Sequence, residues 1–241
     1  MRIEVLADAD AVARAAAAFI AEECRNAVRL RHRFVAAISG GRTPWLMLRV
    51  LAEQDVPWEH VHVVQVDERV APAGHADRNL THLRESLERA PLDVGQIHAM
   101  PVEAPDLEAA AERYAAGLEE IAGSPAVLDL IHLGLGADGH AASLVPEDPV
   151  LNITNVDVAL TGAYQGRRRM TFTYPILNRA RRVLWLVTGS DKVGPLAKLL
   201  KGDVSIPAGR VCQDQALILA DRAAAGPSVI SSTRPARRRR G

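Results

Sequence analysis

Short apolar runs alternate along this chain with longer stretches of helical period. Ile3–Leu6, Phe34–Ile38, Val61–Val66, Val127–Leu133, Val183–Val187 and Ala216–Leu219 are brief runs rich in Val, Ile, Leu and Ala. They read as strands, Val127–Leu133 and Val183–Val187 as buried ones, and Met170–Tyr174 alternates with the two-residue period of another. Between them Ala11–Arg29, Pro44–Gln54, Asn79–Arg89, Leu107–Ile121 and Val193–Leu200 read as helices. The first is alanine-rich, which favours helix, and Asp8 or Asp10 is placed to cap it. Thr43 is the expected N-cap of the second, with Pro44 at the first helical position, where its missing N–H costs nothing. Strands separated by helices predict an α/β fold, a mostly parallel sheet with helices on both faces. Fully apolar strands suit that double burial.

Four polar clusters follow strands: Ser39–Thr43, Asp67–Arg69, Gly134–His140 and Thr188–Lys192. In an open α/β sheet, ligands bind beyond the carboxyl ends of the strands. The four clusters are therefore expected to converge on one crevice.

In Ser39-Gly40-Gly41-Arg42-Thr43-Pro44 two glycines let the backbone approach an anion, and the helix start offers free N–H groups. The same six residues also suit an ordinary strand-to-helix turn. Asp67-Glu68-Arg69 by itself reads first as a solvated loop, with a substrate contact the other reading, Arg69 being a rigid donor fork for oxyanions. Gly134-x-Gly136-x-x-Gly139 matches a dinucleotide fingerprint literally, but Pro146 and Pro149 forbid the crossover helix that the fingerprint needs. A nucleotide cofactor is not expected. On that same turn His140 is the candidate general base, and Asp138 stands two residues away to orient its ring. Lys192 begins a helix, where a cation opposes the helix dipole and calls for an anionic partner. Asp191 alone can be that partner.

Composition adds limits. A 48% hydrophobic and 24% charged chain of 241 residues is ordinary for one globular domain, here drawn over 1–226. The formal net charge is zero, yet Arg234, Arg237, Arg238, Arg239 and Arg240 crowd the last eight residues, leaving 24 basic against 29 acidic residues elsewhere. Residues 227–241 read as a disordered basic tail, and the body lacks the basic face of a nucleic-acid binder. Two cysteines, Cys24 and Cys212, give neither a disulfide framework nor a zinc site. No apolar run reaches membrane-spanning length. The expectations are a cytoplasmic location, no metal or cofactor, no nucleic-acid or membrane partner, and a monomer or weak homodimer.

Taken in order, Ser-Gly-Gly-x-Thr-Pro, Asp-Glu-Arg, the segment Gly134–Pro146 (Gly-Leu-Gly-Ala-Asp-Gly-His-Ala-Ala-Ser-Leu-Val-Pro), Arg169-Met170-Thr171 and Thr188-Gly189-x-x-Lys192 resemble the 6-phosphogluconolactonase family over roughly residues 3–225. The resemblance implies a Rossmann-like fold and hydrolysis of a sugar-phosphate lactone. It implies His140 as the base acting on water, with Asp138 supporting it. It assigns Gly40, Gly41, Thr43 and Lys192 to the substrate phosphate, and makes Asp67, Arg69 and Arg169 further substrate contacts. Arg42 stands where a small residue is usual, so it either adds phosphate affinity or narrows the entrance. Val145-Pro146-Glu147 replaces the usual aromatic-Pro-Gly. Amino-sugar-phosphate deaminases are similar at Asp67, Asp138, His140 and Lys192, but carry a ring-opening glutamate where this chain has Val145 and a tyrosine in place of Arg69.

Overall fold

A computed structural model describes residues 1–233, the side chains of 228–233 aside. In chain order the elements are β1 (Arg2–Leu6), α1 (Ala9–Arg31), β2 (Phe34–Ile38), α2 (Arg42–Leu51), β3 (Val61–Gln65), β4 (Asp67–Arg69), α3 (Asn79–Ser86), β5 (Ile97–His98), α4 (Leu107–Ala122), β6 (Leu130–Gly134), β7 (Val158–Leu160), β8 (Arg169–Phe172), α5 (Tyr174–Arg179), β9 (Val183–Val187), α6 (Val193–Leu200), β10 (Ala216–Asp221) and α7 (Arg222–Thr233). Seven strands form one sheet in the order β1-β10-β9-β6-β2-β3-β5, with every pairing parallel.

The winding explains where a crevice must lie. From β1 to β5 each step moves toward one edge, carrying α1, α2 and α3. From β5 to β10 each step moves back, carrying α4, α5 and α6. Right-handed crossovers in opposite directions place their helices on opposite faces. The two apolar cores agree: Phe34, Ala36 and Ile38 pack with α1 and α2, while Val35 and Ala37 pack with α4, α5 and α6. The central strands β2, β6, β9 and β10 thus bury both faces, while the edge strands β1 and β5 stay partly exposed. The direction reverses between the neighbours β2 and β6, and their carboxyl ends part there.

Antiparallel strands β4-β8-β7 form a second, small sheet that the sequence pattern did not reveal. Val158, Met170 and Phe172 pack it into the α4 core. Val66 is the joint between the sheets: its N–H donates to Ile38 O at 3.2 Å, and its carbonyl accepts from Phe172 N–H at 2.8 Å. Asp67–Arg69 is therefore a strand and no solvated loop; Glu68 is fully buried.

Local signals hold in part. Asp8 caps α1, accepting from Ala11 N–H at 2.8 Å. Thr43 is not the N-cap of α2. Gly41 takes that place at φ 141°, a left-handed conformation that favours glycine, and the Thr43 hydroxyl turns to Thr188 instead. No helix of crossover length follows Gly134–Gly139, where the chain makes only the single turn Pro149–Asn152 before β7. Residues 227–233, assigned above to the tail, continue α7 as helix beyond a non-helical Gly226. The arginines from Arg234 onward lie outside the described residues. Among those described, no helix is long and apolar enough to cross a membrane.

His132 on β6 is completely buried, its Nδ1 accepting from Ser39 N–H at 3.3 Å. Burial pushes its imidazole down to about 3. The unfolded chain protonates this ring near its ordinary value, about 6.5. Between the two values the unfolded state binds the extra proton, so stability falls as pH falls. Urea unfolding at pH 6.5 and pH 4.5 is expected to show a steeper loss for the wild type than for His132→Gln, by roughly 1 kcal/mol per pH unit.

Candidate active site

The loops after β2, β3, β6, β9 and β10 enclose two adjoining recesses at the point of reversal. One, of about 430 Å³, is lined by Asp67, Arg69, Asp138, His140, Tyr164 and Arg169. The other, of about 700 Å³, is lined by Arg42, Thr43, Thr188, Asp191 and Asp221. Gly40, Gly134, Leu135 and Lys192 border both. Every residue assigned from the sequence to the chemistry or to substrate binding thus borders one crevice.

The turn carrying His140 is closed by its own backbone. Gly136 N–H donates to His140 O at 2.8 Å and Gly139 N–H to Gly136 O at 3.0 Å. From behind, Ala208 N–H donates to Gly139 O at 2.9 Å. His140 Nδ1 lies 2.6 Å from Asp138 Oδ1, and the His140 backbone N–H reaches the same oxygen at 3.1 Å. A proton on Nδ1 satisfies that contact and leaves Nε2 with its lone pair. The His140 side chain is 24% exposed, open to solvent but not free in it. Burial alone would raise the Asp138 carboxyl; the charge of His140 and hydrogen bonds from His140 and Tyr164 outweigh it and hold the group below its ordinary value.

Asp67, Glu68 and Arg69 divide their work. Glu68 is a buried hub, accepting from the backbone N–H groups of Arg69, Asn79 and Leu80 at 2.8 Å each and from Gln65 Nε2 at 2.9 Å. Arg78 Nε lies 3.1 Å from it. A buried charge needs this degree of pairing. The hub seats Asn79 against the crevice, where a side chain on Gly40 would overlap the Asn79 amide oxygen. Arg69 Nη1 donates to that oxygen at 2.9 Å and to Asp77 O at 2.8 Å. Asp67 accepts from the Ser143 hydroxyl at 2.6 Å, and Arg169 Nη1 approaches the same hydroxyl at 3.4 Å. Asp67 is thus engaged by Ser143, and through its hydroxyl linked to Arg169, on the wall of the recess.

Around the second recess Thr43 and Thr188 share a hydroxyl hydrogen bond of 2.9 Å. Asp221 accepts from Gly189 N–H at 3.1 Å and from Ala224 N–H at 2.7 Å, fixing the loop that carries Lys192. Lys192 Nζ pairs with Asp191 at 2.7 Å. That hydrogen bond holds the Asp191 carboxyl below its ordinary value. A pair whose carboxylate is exposed contributes little and yields to a stronger anion. Arg42 is exposed at the start of α2 and makes no hydrogen bond or ion pair among the described residues.

Three donors on residues of the first recess, Ser39 Oγ, Arg69 Nε and Arg169 Nε, are buried without hydrogen-bond partners among the described residues. Unpaired buried donors are costly, and an oxygen-rich ligand is the chemistry that would engage them. Sequence reasoning missed Asn79, Ser143 and Tyr164. Ser143 sat inside a recognised motif, and its link to Asp67 spans 76 residues. Tyr164 lies in an irregular stretch with no flanking signal.

A doubly wound α/β sheet with a cationic crevice at its switch point is the architecture of a protein that binds a small anionic ligand. A family model described as glucosamine-6-phosphate isomerases/6-phosphogluconolactonase matches residues 7–219. The chain belongs to this family. A 6-phosphogluconolactonase of Synechocystis is 36% identical over 203 residues, covering 82% of this chain and 84% of that one. The crystal structure of the 6-phosphogluconolactonase of Thermotoga maritima superposes with a TM-score of 0.80 at 29% identity, covering 91% of this chain and 98% of that one. A monomeric glucosamine-6-phosphate deaminase superposes at 0.83 with 18% identity, covering 95% and 100%, a likeness of fold alone.

A Cβ on Gly136 would overlap His140 Nδ1 and come within 2.6 Å of Asp138 Oδ1. Gly136→Ala is expected to displace the pair by about 1 Å and lower kcat by about 10²-fold, since misplacements of that order cost as much. Thermal unfolding should change little. Steady-state kinetics beside a melting curve checks both.

Proposed function

We propose that the protein hydrolyses 6-phospho-D-glucono-1,5-lactone to 6-phosphogluconate. The observation that carries this reading is the 2.6 Å contact between His140 Nδ1 and Asp138, in a crevice that also holds Arg69, Arg169 and Lys192. A neutral imidazole held in one tautomer is a base at Nε2, and clustered cations favour an anionic substrate.

The substrate phosphate takes the second recess, between Lys192, Arg42, Thr43 and the free N–H groups of α2. Its lactone carbon then lies over the first. Nε2 of His140 removes a proton from water as the oxygen attacks the carbonyl carbon. Charge on the carbonyl oxygen develops beside guanidinium groups in a partly desolvated cleft, where such stabilisation is large. As the carbonyl re-forms, the bond to the ring oxygen breaks and the imidazolium returns its proton to that oxygen. One water is consumed, and the ring opens to a hydroxy acid.

The deaminase reading is weaker on a specific point. Val145 is buried, and Glu147 does not line either recess, so no carboxylate stands at the place where the deaminases carry theirs.

The test is hydrolysis of freshly prepared 6-phosphogluconolactone, corrected for the uncatalysed rate. His140→Ala is expected to lose about 10²–10⁴-fold in kcat with KM nearly kept. Lys192→Met is expected to raise KM at least about tenfold with a smaller change in kcat, as loss of a charge-assisted contact requires. Undiminished turnover in His140→Ala removes the histidine from the role, and ammonia release from glucosamine 6-phosphate establishes the deaminase instead.

A further inference from the structure

Tyr164 belongs to neither polar cluster of β6 nor to any strand, yet it closes the His140 site from the far side. The β7–β8 connection folds back at Gln165 and Gly166, both at positive φ (52° and 78°), the conformation of a tight hairpin turn. Tyr164 N–H donates to Arg167 O at 2.9 Å across that turn. Arg167 ties the tip to the opposite loop through Asp77 at 2.7 Å. So braced, the tyrosine hydroxyl donates to Asp138 Oδ2 at 3.2 Å, the oxygen that His140 leaves open. Its ring meets the imidazole edge-on, with centroids 5.7 Å apart. Its other neighbour is the Arg169 guanidinium, 4.9 Å from the ring centroid.

We propose that Tyr164 is the positioning residue of the Asp138–His140 pair, setting the plane of the imidazole and sharing the charge of the aspartate. The argument rests on the reading of His140 as base. Asp138 and His140 sit on one short turn, and a contact between neighbours two residues apart leaves both side chains free to swing together. A third group from a distant loop removes that freedom. Burial, and the charge of Asp138, push the Tyr164 phenol up, so it keeps its proton and remains a donor. The charged groups facing the cluster are Arg169 from β8, Asp67 and Arg69 from β4, and Lys192 across the recess.

Loss of the hydroxyl concentrates the Asp138 charge on the side of His140, which favours the imidazolium. It also takes away a hydrogen bond that helps keep the Asp138 carboxyl low. The first effect moves the acidic limb of the kcat/KM profile toward higher pH; the second leaves Asp138 ionised near neutrality and does not move that limb. In Tyr164→Phe the ring stays, and kcat is expected to fall about 3–10-fold with KM and melting temperature nearly unchanged, the scale of one hydrogen bond. Tyr164→Leu also removes the ring contact and is expected to fall further, about 10²-fold. The decisive readout is the NMR titration curve of the His140 ring protons, assigned by their absence in His140→Ala. The curve should move to higher pH in Tyr164→Phe. A curve superimposed on the wild type overturns the proposal even if kcat drops, because a tyrosine that merely packs would slow the enzyme without altering the titration. The titration needs no turnover, so a failure of His140 as base, read from His140→Ala kinetics, is distinguished from a failure of Tyr164.

Discussion

Closure of the Gly134–His140 turn is the constraint on which the site depends. Three backbone hydrogen bonds pin it, one of them to Gly139 from Ala208, 69 residues further along the chain. The pinning leaves no room for a side chain at Gly136, and Gly139 is held at φ 85° against Ile206. These glycines therefore do not mark a nucleotide-binding loop. They let an imidazole and a carboxylate separated by one residue face each other, and a bulkier backbone could not.

Around this fixed point the structure separates charges by task. Glu68 is buried among five donors and shapes the wall. Asp67 anchors Ser143 beside Arg169. Only Asp138 touches the histidine. The cations Arg69, Arg169, Lys192 and Arg42 ring the opening, which suits a ligand with negative charge at one end. The small antiparallel sheet has its reason here. It brings Arg69 on β4 directly opposite Arg169 on β8 and extends a hairpin to carry Tyr164 over the cleft.

Much of this was legible from the residues. Apolar runs such as Phe34–Ile38 and Val183–Val187 marked buried parallel strands because nothing else explains so short and so apolar a stretch. The polar clusters were readable because they interrupt strong periodicity. Thr43 misled because its place before Pro44 fits capping, whereas Gly41 was free to take the positive φ and Thr188 supplied a better hydroxyl partner. β5, with two residues, and β7, with three, are too short to show a period. Glu68 carried no sign of burial, since its compensation comes from Asn79 and Leu80 eleven and twelve residues on. Tyr164 works through distance in space, which no local pattern encodes.

The central claim is that one recess grips a phosphate while another performs chemistry on the lactone. Comparing kcat/KM of the wild-type protein for 6-phosphogluconolactone and for unphosphorylated glucono-1,5-lactone tests it most directly. A site whose charged donors are left unpaired by the second substrate should prefer the first by roughly 10³-fold or more. Rates within about tenfold of each other would mean that the cationic recess holds no phosphate during the reaction, and would contradict the account.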